Sequence, residues 1–333
     1  MKTILLDSNK NFYKANMHSH SIYSDGKQTV EELKEMYKAN GYSIIAFTDH
    51  EHLIDNSHLD DDEFLSITSC EHAIKQFENM STLVKRDMKV AHLNIYAKDQ
   101  HNVNTPCYSR VYDHYTDNVK EIMVVPEEDY KRVYSAEGVS EIIDIANKEG
   151  FLVAYNHPRW SLEDARDYLG YKGLWALEML NSSCWETGYY DYNPTTYDEF
   201  LRDGNVMGCV MGDDNHNTPH HSFIGYTMIN AEKLEYDEIM KALENYNFYC
   251  SMGPVINGLY IEDGKAHLSV DKGEKVIMTT GIRYVEKQMI TDENKHDLVF
   301  EVKDEYKYIR FDVIDEFDKR ANTNAYFVDG RQS

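Results

Sequence analysis

The chain has 333 residues, 42% of them apolar, which is ample material for a buried core and excludes wholesale disorder. At about 150 residues per domain the length suits two domains, or one (β/α) barrel of about 250 residues with a small module attached. Its 34 basic and 58 acidic residues leave a net charge of −24, which argues against a nucleic-acid or anionic-membrane surface, because both need clustered Lys and Arg.

The N-terminal stretch, MKTILLDSNKNFYKAN, has too short an apolar run for a signal peptide, and Asp7 interrupts it. No run approaches the roughly 18 apolar residues of a membrane-spanning helix. The cysteines at 70, 107, 184, 209 and 250 are scattered, without a CxxC pair, so reduced thiols and a cytoplasmic location are expected. Thr29-Val-Glu-Glu32 forms a capping box, with Leu33, Met36 and Tyr37 at helical spacing and Gly41 as the stop. A strand is expected at 43–47, a helix at 137–148 ending before Gly150, and a strand at 151–155. A further helix starts near Ser161 and Asp164, followed by a strand at 175–180 and a helix at 197–202. A strand at 206–211 and a helix at 236–245 complete this part. Strands alternating with helices imply parallel βα units, hence an α/β barrel or sheet. The polar, Tyr-rich segment 98–135 fits neither pattern and reads as an excursion over the site.

Beyond about residue 255 the pattern changes. Strands are expected at 266–270, 275–280, 297–302 and 308–314, with turns at Asp263-Gly264 and Lys272-Gly273. The expected organisation is therefore a barrel over residues 1–255 and a small, sandwich-like antiparallel β domain over 256–333.

Successive apolar runs in the first part each end in imidazole or carboxylate. His18-Ser-His20 and Asp25-Gly26 precede the first helix, and Thr48-Asp-His50 follows the strand after it. Glu71-His72, His92, Asn156-His-Pro158 and Gly212-Asp-Asp-Asn-His216 follow later runs. Any one of these is weak: a strand-end histidine, a helix cap or an acidic loop explains it equally well. In a parallel barrel, however, all C-terminal strand ends meet on one face. Roughly five histidines and three carboxylates would converge there, at a heavy cost in desolvation and repulsion unless divalent cations compensate it. Mixed N/O ligands suit Zn, Mn and Fe.

This ordered set resembles the PHP (polymerase and histidinol phosphatase) superfamily over roughly residues 14–254. The segment 248–254 and the β tail with Arg320-Ala-Asn-Thr-Asn324 resemble the two-domain subgroup that includes carbaryl-esterase-like proteins. The resemblance implies a distorted (β/α)7 barrel binding two to three divalent ions. His18, His20, Glu71 and Asp214 would hold one ion, and Asp25, His50 and His216 a second. Glu71 would bridge to a third, held with His92 and His157. Asp213, where the family has a small residue, would face away.

On this reading a metal-activated water attacks a phosphate ester of a small metabolite. Glu71 and Asp214 are the candidate catalytic acids, with Arg159 the candidate cation for the phosphoryl group and Lys27 a weaker one. Asp49 would orient a ligand histidine or cap a helix. Glu178 and Asn181 are equally readable as second-layer contacts or ordinary strand-end polar residues. His72 is expected to pack in the wall, His52 and His58 to be exposed, and His220 and His221 to lie in a polar loop. Trp160 and Trp185 could stack on a substrate ring or pack the rim. Two alternatives stand beside the phosphoesterase: hydrolysis of a carboxylic ester, carbamate or amide by the same chemistry, and a non-catalytic binding module. The discriminator is a substrate panel with and without metal.

Overall fold

The computed structural model describes residues 2–77, 87–112, 116–117, 119–216 and 221–331, so His220 lies outside the described residues. In chain order the elements begin with β1 (Lys2–Leu6), β2 (Asn11–Ser19), α1 (Val30–Lys38), β3 (Ile44–Phe47), β4 (Leu65–Lys75) and β5 (Val90–Ala97). Next come α2 (Ala136–Lys148), β6 (Phe151–Tyr155), α3 (Ala165–Tyr168), β7 (Ala176–Asn181), α4 (Ser182–Cys184), α5 (Pro194–Arg202) and β8 (Gly208–Gly212). Then follow β9 (Tyr226–Ala231), α6 (Tyr236–Glu244), β10 (Phe248–Ser251), β11 (Val255–Glu262) and β12 (Lys265–Lys272). The last strands are β13 (Lys275–Thr279), β14 (Val285–Met289), β15 (Leu298–Glu301), β16 (Tyr308–Ile314), β17 (Arg320–Thr323) and β18 (Tyr326–Phe327).

Local chemistry explains the helix bounds. Thr29 and Glu32 make the reciprocal capping box that starts α1, and Gly41, at φ 76°, follows its end. The helix turns Val30, Leu33 and Tyr37 inward. Ser135 caps α2, whose Val139, Ile142, Ile143 and Ala146 are fully buried against β6 and its neighbours. Each buried Val or Ile there contributes about 1.5–3 kcal/mol.

The main sheet runs β14-β13-β16-β17-β10-β9-β2-β3-β4-β5-β6-β7-β8. The β2-β3-β4 and β6-β7-β8 ladders are parallel. Two expectations need correction. First, β5 is antiparallel to both β4 and β6. A parallel return needs a crossover of a dozen or more residues; here Gln76 N still donates to Lys89 O, so the chain stays in an antiparallel ladder after β4. Second, the sheet does not close into a barrel. β3 takes one edge of β2, and the other edge pairs first with β9. At residues 18–20 that edge meets the segment after β8: Asp214 N donates to His18 O, and His20 N to Asn215 O. The β8 end thus returns to β2 through a single bridge, Ser19–Asn215, rather than a ladder.

The C-terminal strands form two antiparallel layers. One is β1-β11-β12-β15, which recruits the first strand of the chain; the other, β14-β13-β16-β17, joins the main sheet through β10. Leu6, Leu259, Leu268, Val276, Phe300, Phe311 and Val313 share one core between them. Arg310 reaches across to Asp198 of α5, Nε to Oδ1 at 2.9 Å, and Asn324 Oδ1 accepts from Cys209 N of β8.

Candidate metal centre

The parallel strands β2, β3, β6, β7 and β8 deliver their C-terminal ends to one rim. On β2, His18 and His20 point the same way because side chains two apart share a strand face. Their Nε2 atoms lie 3.2 Å apart. Ser19 faces the other way, onto Asn215. The loop after β2 is pinned by Asp49, whose carboxylate accepts from Ser21 N and Oγ and from Ser24 N and Oγ at 2.7–3.1 Å. Asp49 therefore positions the turn that carries Asp25. A Cβ on Gly26 would come within 2.4 Å of His20 O, so that turn requires glycine.

Glu71 is the hub. β4 runs on to Lys75, so Glu71 sits within the strand rather than after an apolar run, fully buried. Its Oε1 lies 2.9 Å from His92 Nδ1, 3.2 Å from His157 Nε2 and 3.4 Å from His18 Nε2. Its Oε2 lies 3.3 Å from His50 Nδ1 and 3.5 Å from His20 Nε2. Asn156 Nδ2 also donates to Oε1. His92 reaches this rim because β5 is antiparallel: the start of β5, where His92 sits opposite Ala73, lies where the other strands end.

Asp214 Oδ1 lies 3.1 Å from His20 Nε2 and 3.4 Å from His18 Nε2. Asp25 Oδ1 lies 3.3 Å from His216 Nε2, and its Oδ2 3.6 Å from His50 Nε2. Three sets of donor atoms gather within 4.8 Å: His20, Asp25, His50 and His216; His18, Glu71 and His157; and His18, His20 and Asp214. His157 and Asp214 hold positive φ, 23° and 51°, as does Glu51 at 68°. Such backbone costs about 1–3 kcal/mol each and clusters at functional sites.

A second layer sets tautomers. Glu178 on β7 accepts from His18 Nδ1 at 2.8 Å, which fixes the ring so that Nε2 faces the acids. The same carboxylate accepts from His157 N and Asn181 Nδ2, and Asn181 Nδ2 also donates to Asp214. Glu178 and Asn181 thus brace His18, His157 and Asp214 from behind the rim.

The groups perturb one another strongly. Burial opposes ionisation of Glu71, yet His92 and His18 hold its carboxyl well below the usual range. Asp214 is likewise held low, against burial, by His18 and His20. Burial, with His216 and His50 nearby, pushes His20 down to about 4. Burial also disfavours charge on His157, but Glu71 lifts it to about 9. Carboxylate oxygens and imidazole nitrogens thus face shared points, an arrangement that fits divalent cations with mixed N/O ligands.

Residues 16–252 match the family model of the PHP domain. The chain belongs to this family. No curated protein matches it. Among solved structures it is similar to a two-domain protein of Bacteroides vulgatus containing a predicted PHP-like metal-dependent phosphoesterase. That pair is 15% identical, with 96% of each chain covered and a TM-score of 0.46. It is also similar to a candidate metal-dependent phosphoesterase of Bifidobacterium adolescentis, 14% identical, with 61% of this chain and 87% of the other covered, at a TM-score of 0.34. At these scores neither likeness assigns anything further to this PHP chain.

Other sequence candidates fall elsewhere. Arg159 is exposed, donates to Tyr190 O and does not line the cavity over the histidines. Lys27 is also exposed. Asp213 faces away from the rim histidines, accepting from Tyr37 OH and Phe223 N, and burial pushes it up to about 6. His72 is packed in the wall, bonded to Pro106 O. His52 is buried beside Tyr108, not exposed, whereas His58 is exposed. Ser183 Oγ lies 3.4 Å from His221 Nδ1. Trp160 packs on the rings of His92 and His157, with centroids 5.2 and 5.1 Å away, while Trp185 packs against Tyr190. All five cysteines are free and buried, and no described helix is long and apolar enough to cross a membrane.

Sequence reasoning missed Lys75 and the Glu51–Arg132 pair. The first was readable from alternation: Glu71, Ala73 and Lys75 share a face once β4 is extended. The second joins residues 81 positions apart and leaves no local signal.

Proposed function

We propose that this PHP-family chain is a metal-dependent phosphoesterase that hydrolyses a small phosphorylated metabolite in the cavity of about 420 Å³ over the histidine rim. One observation carries the reading: the two oxygens of Glu71 face different imidazole sets, as a carboxylate shared by neighbouring cations would. His18, His20, Glu71 and Asp214 would hold one ion, Asp25, His50 and His216 a second, and His92 and His157, with Glu71, a third. Divalent cations there supply Lewis-acid polarisation of the ester and of the attacking water.

The protein's own residues do the rest. Glu178 fixes His18 by accepting its Nδ1 proton, so the ring presents Nε2. Asn156 and Asn181 hold Glu71 and Asp214 in place. Trp160 closes one wall against water, over His92 and His157. A phosphate dianion suits a site where cations outweigh carboxylates, in a chain whose remaining surface repels it.

The test is a substrate panel with protein reconstituted separately with Zn, Mn and Fe. Release of phosphate from p-nitrophenyl phosphate, abolished by chelation and with p-nitrophenyl acetate left intact, is the expected outcome. Hydrolysis of the acetate alone would overturn the reading in favour of a carboxylic ester hydrolase. Identical behaviour of chelated and loaded protein would overturn it in favour of a binding module.

A further inference from the structure

The cavity holds one cation that no ligand role absorbs. Glu71, Ala73 and Lys75 follow one another on the same face of β4, and all three line the cavity. Lys75 is only 4% exposed. Its Nζ lies 5.2 Å from the centre of the Tyr112 ring, and burial lowers its pKa. The nearby acid is Glu51, but Arg132 already engages both Glu51 oxygens, at 2.9 and 2.6 Å. Among the described residues Lys75 forms no ion pair, and it is the sole Lys or Arg lining the cavity. A buried ammonium without a counter-anion is costly, and an anionic ligand group relieves that cost.

Spacing defines the shape of that ligand. Lys75 lies four residue steps along the strand from Glu71, about 13 Å between Cα atoms. On this face of β4 Ala73 lies between them, with Val90, Tyr112 and Trp160 packed beside it, and the neighbouring Glu51 carboxylate is already paired with Arg132. An apolar slot therefore joins the cage at Glu71 to the ammonium of Lys75.

We propose that Lys75 is the specificity-determining cation of the site, holding a second anionic group of a substrate whose scissile phosphate sits at the Glu71 cage. The substrate class is thus a phosphate monoester carrying a carboxylate or a second phosphate across a short aliphatic spacer. This rests on the phosphoesterase reading for the placement of the first phosphate.

The test is calorimetric binding to the full chain reconstituted with zinc. The probes are butylphosphonate, ω-phosphonocarboxylates with three to five methylenes, and 1,4-butanediphosphonate. Wild-type protein should bind the best doubly anionic probe at least about tenfold more tightly than butylphosphonate, the scale of a charged hydrogen bond; the tighter of the two anion types identifies the second group. In Lys75→Met that preference should fall to near unity while butylphosphonate binds as before, which also shows that the variant is folded. Lys75→Arg should retain the preference. A wild-type preference near unity, or one that survives in Lys75→Met, would overturn the inference. Butylphosphonate alone reports on the cage: its insensitivity to chelation would count against the phosphoesterase reading, whereas failure of the Lys75 inference shows only in the ratio.

Discussion

Glu51 and Glu71 are both fully buried and hydrogen-bonded to each other through the backbone, Glu51 N to Glu71 O at 3.0 Å, yet the fold treats them in opposite ways. Glu51 receives a fixed protein cation. Arg132 grips both its oxygens and also donates to Cys107 O and Ala73 O, while Ala73 N donates to Glu51. Glu71 receives no Arg or Lys among the described residues; its surroundings are five imidazoles and the Asn156 amide. The first is a closed ion pair, complete within the chain. The second is a set of imidazole nitrogens gathered round one carboxylate, with no fixed Arg or Lys beside it among the described residues.

The largest effect expected from this contrast is on Glu71. Glu71→Gln should abolish turnover of p-nitrophenyl phosphate and lower the metal content of purified protein by at least one ion per chain, measured by elemental analysis. Full metal content with full activity would erase the distinction between the two acids. Arg132→Met attacks the other side. Stranding Glu51 should lower stability by about 3–5 kcal/mol in guanidinium denaturation, with the folded fraction still carrying its metal. Unchanged stability would mean that the pair is not what neutralises Glu51.

Glu178→Gln sharpens the comparison from the second layer. It keeps the size of the side chain but offers His18 Nδ1 a poorer acceptor, so metal affinity should weaken about 10–100-fold. Titration with a chromophoric chelator reads this directly, and wild-type affinity in the variant would remove Glu178 from the site. The smallest effect concerns a third buried acid, Glu163, which accepts from Tyr134, Tyr155 and Tyr171. Burial raises its pKa, more than the tyrosines lower it. The folded state therefore holds the Glu163 proton more tightly than the unfolded chain does. Its stabilising contribution is fullest below the unfolded value of 4.5 and falls as pH rises from there through the raised folded value. Wild type should accordingly lose stability relative to Glu163→Gln as pH is raised from 4 towards neutrality. A difference that runs the other way would show the carboxylate form to be the favoured one.

Legibility in the sequence followed locality. The capping box at Thr29 and Glu32, the strand 151–155 and the His18-x-His20 spacing are short-range patterns, and each has its element or side-chain pair in the structure. The direction of β5 was not legible, because antiparallel and parallel returns share the same apolar run. That error placed His92 at a strand end when it lies near a strand start, though on the same rim. Because β4 continues through Glu71 to Lys75, Lys75 is a neighbour of Glu71 along one face, which placing Glu71 after its apolar run had hidden. Arg159 shows the reverse failure: adjacency to His157 in sequence suggested a phosphate contact, but its guanidinium turns to Tyr190 O. The β1 strand pairs with β11, more than 250 residues away, a contact no local pattern encodes.

The central claim is that the imidazoles and acids around Glu71 form a cage for divalent cations. Anomalous scattering from crystals of zinc-loaded protein tests it most directly. Two or three peaks within coordinating distance of Glu71, Asp214, Asp25 and the six rim histidines are expected. Peaks elsewhere on the surface, or none at this rim, would contradict the account.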